Sequence, residues 1–260
     1  MKNKVIVLTC LLTCAGSVQG FGYFSNWNGA DEGFGETGKR VTGSKMWDGV
    51  TFSDEQLIVD GSVKCRNTTF KNVIVNGSFW GRNVITVIAE IRGSCELIAG
   101  SLQELTVKGS AEVSDSTING ACVAKGSLKI NNTTCQSIQC ANLTFENLTV
   151  TGSVEVGVSG KKKKRTAGSI SGTKLTAGNV VVGGDCDITN GTVRSVTSNG
   201  DVILSDTTVS GDVKAENEVR LKGKTIVEGD VIVESGKGKV YCDATVVIKG
   251  KVVGAKVIKR

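Results

Sequence analysis

Glycine followed by a small polar residue returns along this chain at an almost fixed interval, and that interval limits the fold more than any other feature. Gly-Ser occurs at Gly61-Ser62, Gly77-Ser78, Gly93-Ser94, Gly109-Ser110, Gly126-Ser127, Gly152-Ser153 and Gly168-Ser169. Gly-Asp continues it at Gly184-Asp185, Gly200-Asp201, Gly211-Asp212 and Gly229-Asp230. The steps are 16, 16, 16, 17, 26, 16, 16 and 16, and become irregular after Gly200. The step of 26 reads as a full 16 plus a short 10, with Asn142 where a glycine is expected. Asn is a natural stand-in because it tolerates a left-handed backbone. A fixed period of this size marks a repeat architecture.

Apolar residues alternate on both sides of each glycine. Two before it stand Val59, Val75, Ile91, Val107 and Ala124, and two after it Val63, Phe79, Cys95, Ala111 and Leu128. Leu57, Val73, Ala89 and Leu105 lie four before it, and Cys65, Leu97, Val113 and Ile130 four after. A third set lies about nine after: Phe70, Leu102, Ile118, Cys135 and Val193. Alternation with period two is strand geometry. The glycine is the corner between strands, where a Cβ would clash.

Short strands with a corner every five or six residues fit a coil repeated along an axis: an all-β, single-chain β-solenoid of about 16 residues per coil. Each coil pairs its backbone with its neighbours at about 4.8 Å, so about a dozen coils predict a rod about 55–60 Å long. The chain has no Pro, as expected where every interior N–H bonds the next coil. Aromatic residues are 5% of the 260, which suits a narrow core.

Lys2 and Lys4 precede an apolar run from Val5 to Leu12, followed by small residues to Gly20. This is the pattern of a secretory signal peptide cleaved after Gly20, so residues 1–20 are expected to direct export to the periplasm, envelope or exterior. A lipoprotein reading would instead anchor the chain through Cys14. The run from Val5 to Leu12 is too short to span a membrane as a mature helix and no second long apolar stretch exists, so the mature chain carries no predicted transmembrane segment. Residues 21–50 lie outside the repeat and hold Phe21, Tyr23, Phe24, Trp27, Phe34 and Trp47, half the aromatics of the chain. They read as a cap on the first coil, or as a recognition segment for a partner or glycan. Residues 51–260 form the solenoid.

The later repeats read Gly184-Asp185-Cys186, Gly200-Asp201-Val202, Gly211-Asp212-Val213 and Gly229-Asp230-Val231. This run resembles the bactofilin, or polymer-forming cytoskeletal, family over residues 180–260, and more loosely over 55–180. The resemblance implies a right-handed β-helix that polymerises end to end without nucleotide. The chain departs from that family in its export signal and its shorter coil.

Candidate chemistry is sparse. The chain has no His, which removes Ser-His and Cys-His nucleophile pairs and every His-containing metal set. Hexapeptide-repeat acyltransferases are solenoids too, but need an active-site His; β-helical polysaccharide lyases use longer coils and a cleft of loops. An enzyme is therefore not expected, nor a cofactor. The formal net charge of +6 is too dispersed to predict nucleic-acid binding. Cys65, Cys95, Cys122, Cys135, Cys140, Cys186 and Cys242 fall mostly on slots that other repeats fill with Val or Leu, so they read as buried free thiols. A Cys122–Cys140 disulfide is the alternative. Lys161, Lys162, Lys163, Lys164 and Arg165 interrupt a coil and put a lysine at a core slot. That segment should bulge out, where it would meet solvent or grip an anionic polysaccharide, an envelope component or anionic lipid. Asp185 and Asp201, one coil apart, serve as turn residues or as a weak Ca²⁺ site. Outward positions beside the glycines are mixed, including Glu90, Lys108 and Thr149, which argues against a flat threonine array. The function these features favour is a structural rod that self-associates. The alternative is a surface binding module or adhesin that uses the aromatic segment or the basic loop.

Overall fold

A computed structural model describes residues 32–35, 38–159, 164–165 and 167–260. Within them 25 strands join one sheet that winds as a β-solenoid of about 12 turns. Apart from one antiparallel strand, every pairing in this sheet is parallel, between residues one coil apart.

Each turn has three faces. On the first, Val41, Val59, Val75, Ile91, Val107 and Ala124 stand in one column through successive pairings. Val59, Val75, Ile91 and Val107 have 0% exposure. Stacking of residues 16 apart therefore holds. The second face stacks Val63, Phe79, Cys95, Ala111 and Leu128. The third stacks Val193, Val209, Val227 and Ile248. Every inward column adds apolar area to one continuous core, at about 25 cal/mol per Å² removed from water.

The glycine ladder is two ladders. Gly61, Gly77, Gly93, Gly109, Gly126, Gly168, Gly184 and Gly200 line the corner between the first and second faces. A Cβ on Gly93 would stand 2.6 Å from the Gly77 carbonyl oxygen, so the close approach of rungs requires glycine. Gly152, Gly211 and Gly229 belong to another corner, between the third and first faces, together with Gly178 and Gly250. Val154 accordingly pairs with Val180 and Val213 with Val231 on the first face, whereas Ile170 pairs with Cys186 on the second. The 26-residue step is a jump between corners. Asn142 does not take the glycine place: Leu143 pairs with Ile170, which sets Ala141 against Gly168 and Asn142 against Ser169. Its Oδ1 accepts the Ser169 N–H at 3.1 Å.

That bond explains the residue after each glycine. Ser62 Oγ accepts the N–H of Ser78 at 3.1 Å, and Ser110 Oγ that of Ser127 at 3.2 Å. Asp185 Oδ1 accepts the N–H of Asp201 at 2.9 Å, and Asp212 Oδ1 that of Asp230 at 3.0 Å. At these rungs a short side chain with an oxygen acceptor ties one turn to the next, and a backbone N–H meets one carboxylate oxygen of Asp185 and of Asp212.

The third corner is left-handed. Asn67, Asn83, Ala99, Asp115, Asn132, Asn147, Lys174, Asn190 and Asp206 have φ between 45° and 59°, continued by Gly223 at 58°. Asn and Asp dominate because they tolerate this region. Asn83 Nδ2 donates to Asn67 Oδ1, and Asn147 Nδ2 to Asn132 Oδ1, both at 2.9 Å. Just past this corner, buried Thr68, Ser116, Thr133 and Thr207 turn inward and donate to the carbonyl two residues back, at 2.6–2.9 Å.

Candidate functional site

Among the described residues no group of three or more His, Cys, Asp or Glu side chains is placed to hold a metal ion, and no helix is long and apolar enough to cross a membrane. The surfaces that remain are the two ends of the rod, its outer faces, and the hairpin that interrupts one coil.

At the start of the rod the strands Gly38–Thr42 and Lys45–Asp48 already pair with Leu57–Asp60 and Val63–Thr69, so stacking begins ahead of residue 51. Trp47 pairs with Cys65 and packs against Phe52 and Phe70, with ring centroids at 4.8 and 5.9 Å. It covers the end of the core. The strand Glu32–Gly35, which holds Phe34, pairs antiparallel with Gly38–Thr42 and covers the first face's edge. Phe21, Tyr23, Phe24 and Trp27 lie outside the described residues, as do the expected signal segment and Cys14.

The interrupted coil carries a separate two-stranded antiparallel sheet, Val158–Ser159 with Lys164–Arg165. Lys164 thus lies on a hairpin outside the main sheet, as the bulge expected from a core-slot lysine requires. Lys161, Lys162 and Lys163 fall outside the described residues.

At the far end Val247–Ile248, Val252–Val253 and Ala255–Lys259 each pair with the preceding turn. Val257 continues the buried column of Val240, yet is 40% exposed. Val247 and Val253 are 46% and 48% exposed. Lys259 occupies the inward column after Cys242.

All seven cysteines of the solenoid are buried and free. Burial pushes the thiols of Cys65, Cys95, Cys135 and Cys140 up to about 12, and those of Cys122 and Cys186 up as well. A thiol kept neutral is neither nucleophile nor ligand.

Several charges on the outer faces are matched between turns. Arg40 meets Asp60 at 3.2 Å, Lys108 meets Glu90 at 3.4 Å, Lys129 meets Glu112 at 2.7 Å and Lys249 meets Glu228 at 2.8 Å. An open cavity of about 1170 Å³ runs over the second face, from Lys39 and Phe52 at the rod's start to Thr144. Met46, Lys64 and Trp80 line it, and sequence reasoning missed this cluster. On the third face Thr149, Thr176, Thr192 and Thr208 align, one column wide and flanked by Lys174 and Asp206 at the left-handed corner. No flat threonine array results.

Comparison with protein-family models, curated proteins and solved structures finds no match to this chain. The fold defines it as a β-solenoid of parallel rungs.

Proposed function

We propose that this chain is an exported, non-catalytic structural rod that self-associates. The observation carrying this reading is the far end, where three strand edges meet an apolar column that ends in solvent at Val257. An open edge is a template for another chain. Residues 244–260 hold five Lys or Arg and no Asp or Glu; Lys256 and Lys259 are the kind of edge charge that discourages indiscriminate pairing. Two such ends repel each other. Residues 31–60 hold seven acidic and three basic residues, so a head-to-tail contact answers the charge of the far end.

Sedimentation velocity and negative-stain imaging of the mature protein over a range of concentration and salt test this. Assembly that grows with concentration, and that Val257→Asp abolishes, is the expected result. Discrete monomers under every condition would overturn it.

The second reading is a surface binding module that uses the hairpin. What favours it is that Lys164 and Arg165 stand on a sheet of their own, outside the ladder. Replacing residues 158–166 with a short glycine linker should then abolish binding to anionic surfaces; unchanged binding would exclude the hairpin.

A further inference from the structure

Like charges placed directly opposite one another on neighbouring strands are destabilising, and among the described residues three such pairs stand in register on this rod: Glu96 with Glu112, Lys239 with Lys256, and Arg66 with Arg82. The arginine pair is the one that adjoins a cation-bearing indole. Arg66 and Arg82 lie on adjacent turns of the second face, about 4.8 Å apart across the strands, and both are exposed. Asp48 precedes Arg66 in the same column, but its carboxylate accepts the amide of Asn67 at 3.1 Å. Ile98 follows Arg82. Lys64, on the same strand as Arg66, is exposed too. Among the described residues, no carboxylate lies within ion-pair distance of any of the three. Instead Lys64 and Arg66 converge on one indole: Lys64 Nζ is 5.1 Å and the Arg66 guanidinium carbon 5.4 Å from the Trp80 ring centroid. Met46, 63% exposed, stands in register beside Lys64. Met46, Lys64 and Trp80 line the open cavity, with Glu96 in register on the far side of Trp80, while Arg66 and Arg82 stand outside it.

We propose that Lys64, Arg66, Arg82 and Trp80 form a binding site for an acidic polysaccharide, the sugar acids meeting the three cations and a sugar ring meeting the free part of the indole. Three unmatched cations on a rigid sheet are preorganised for an anion, and guanidinium groups take carboxylate or sulfate bidentately. An aromatic flanked by cations suits a ligand with alternating C–H faces and acidic groups. The site is independent of self-association, so a monomeric protein that binds glycan leaves it intact.

The test is calorimetric titration of the full mature chain with heparin fragments, which carry sulfates, and with oligogalacturonate, which carries only carboxylates. Arg66→Gln/Arg82→Gln should weaken binding to at least one of them by about tenfold or more, equivalent to about 1.4 kcal/mol. Trp80→Ala, which changes no charge, should weaken it as well. Lys108→Gln/Lys249→Gln also removes two charges, from matched pairs away from the cavity, and should leave affinity within about twofold. The arginine variant should melt no lower than wild type, since it relieves a repulsion. The proposal falls if the arginine variant binds like wild type, if the control loses as much, or if duplex DNA or phosphatidylserine vesicles bind as tightly as the glycans.

Discussion

Individual positions on this rod are constrained by what stands one turn away. Gly93 and Asn83 illustrate two kinds of constraint. Gly93→Ala would push a Cβ into the Gly77 backbone, and a loss of about 1–3 kcal/mol in chemical denaturation is expected, the usual range for overpacking. Asn83 sits at φ 53°, so Asn83→Ala should cost about 1–2 kcal/mol, while Asn83→Gly should stay within about 1 kcal/mol of wild type because glycine adopts this region freely. The reverse ranking, with Asn83→Gly the worst of the three, would contradict the corner assignments. The buried thiols give a pH prediction. An unfolded thiol ionises near 9.0, whereas those of Cys65, Cys95, Cys135 and Cys140 are held at about 12 in the fold. The unfolded chain therefore releases protons first, and stability intact below pH 9 falls as pH rises toward 12, by about 1.4 kcal/mol per thiol per pH unit. Urea midpoints at pH 8 and pH 10 should show this, with a shallower fall in Cys135→Val. Iodoacetamide should leave the native protein unlabelled at pH 8; rapid labelling would show the thiols are accessible.

Among the elements, the strands and their inward columns were legible because period-two alternation around Gly-Ser needs no knowledge of distant contacts. Val59, Val75, Ile91 and Val107 could be aligned by counting. The corners were only partly legible. Gly-Ser and Gly-Asp do the same local work at two corners, with glycine allowing close approach and Ser or Asp accepting the next rung's N–H, so Gly152 and Gly211 looked like continuations of the first ladder. The left-handed corner escaped notice because Asn, Asp, Ala and Lys share no single signature there. The Arg66–Arg82 juxtaposition was hidden for another reason: outward residues follow no apolar pattern, and only the pairing register shows that two cations coincide. The hairpin strands Val158–Ser159 and Lys164–Arg165 take no part in the main sheet. Replacing residues 158–166 with a short glycine linker should therefore leave the melting temperature within about 4 °C of wild type, because little beyond loop closure changes. A collapse of the fold would mean the hairpin supports its coil.

For the molecule as a whole, stability is nearly one-dimensional. Each turn touches only its neighbours, as in other stacked repeats. Amide exchange should be slowest in central turns, at Val107 and Val196, and fast at Val253 and Val257, where the stack ends; uniform protection along the chain would show a single cooperative unit. The backbone hydrogen bonds between turns run along the length of the rod, and this gives the molecule two mechanical responses. Pulled by its chain ends, it peels from the extremities, a few bonds at a time. Gripped by its flanks, it loads a whole cross-section at once, all three sides sharing the tension, so the way such a rod is held would decide how much force it can carry.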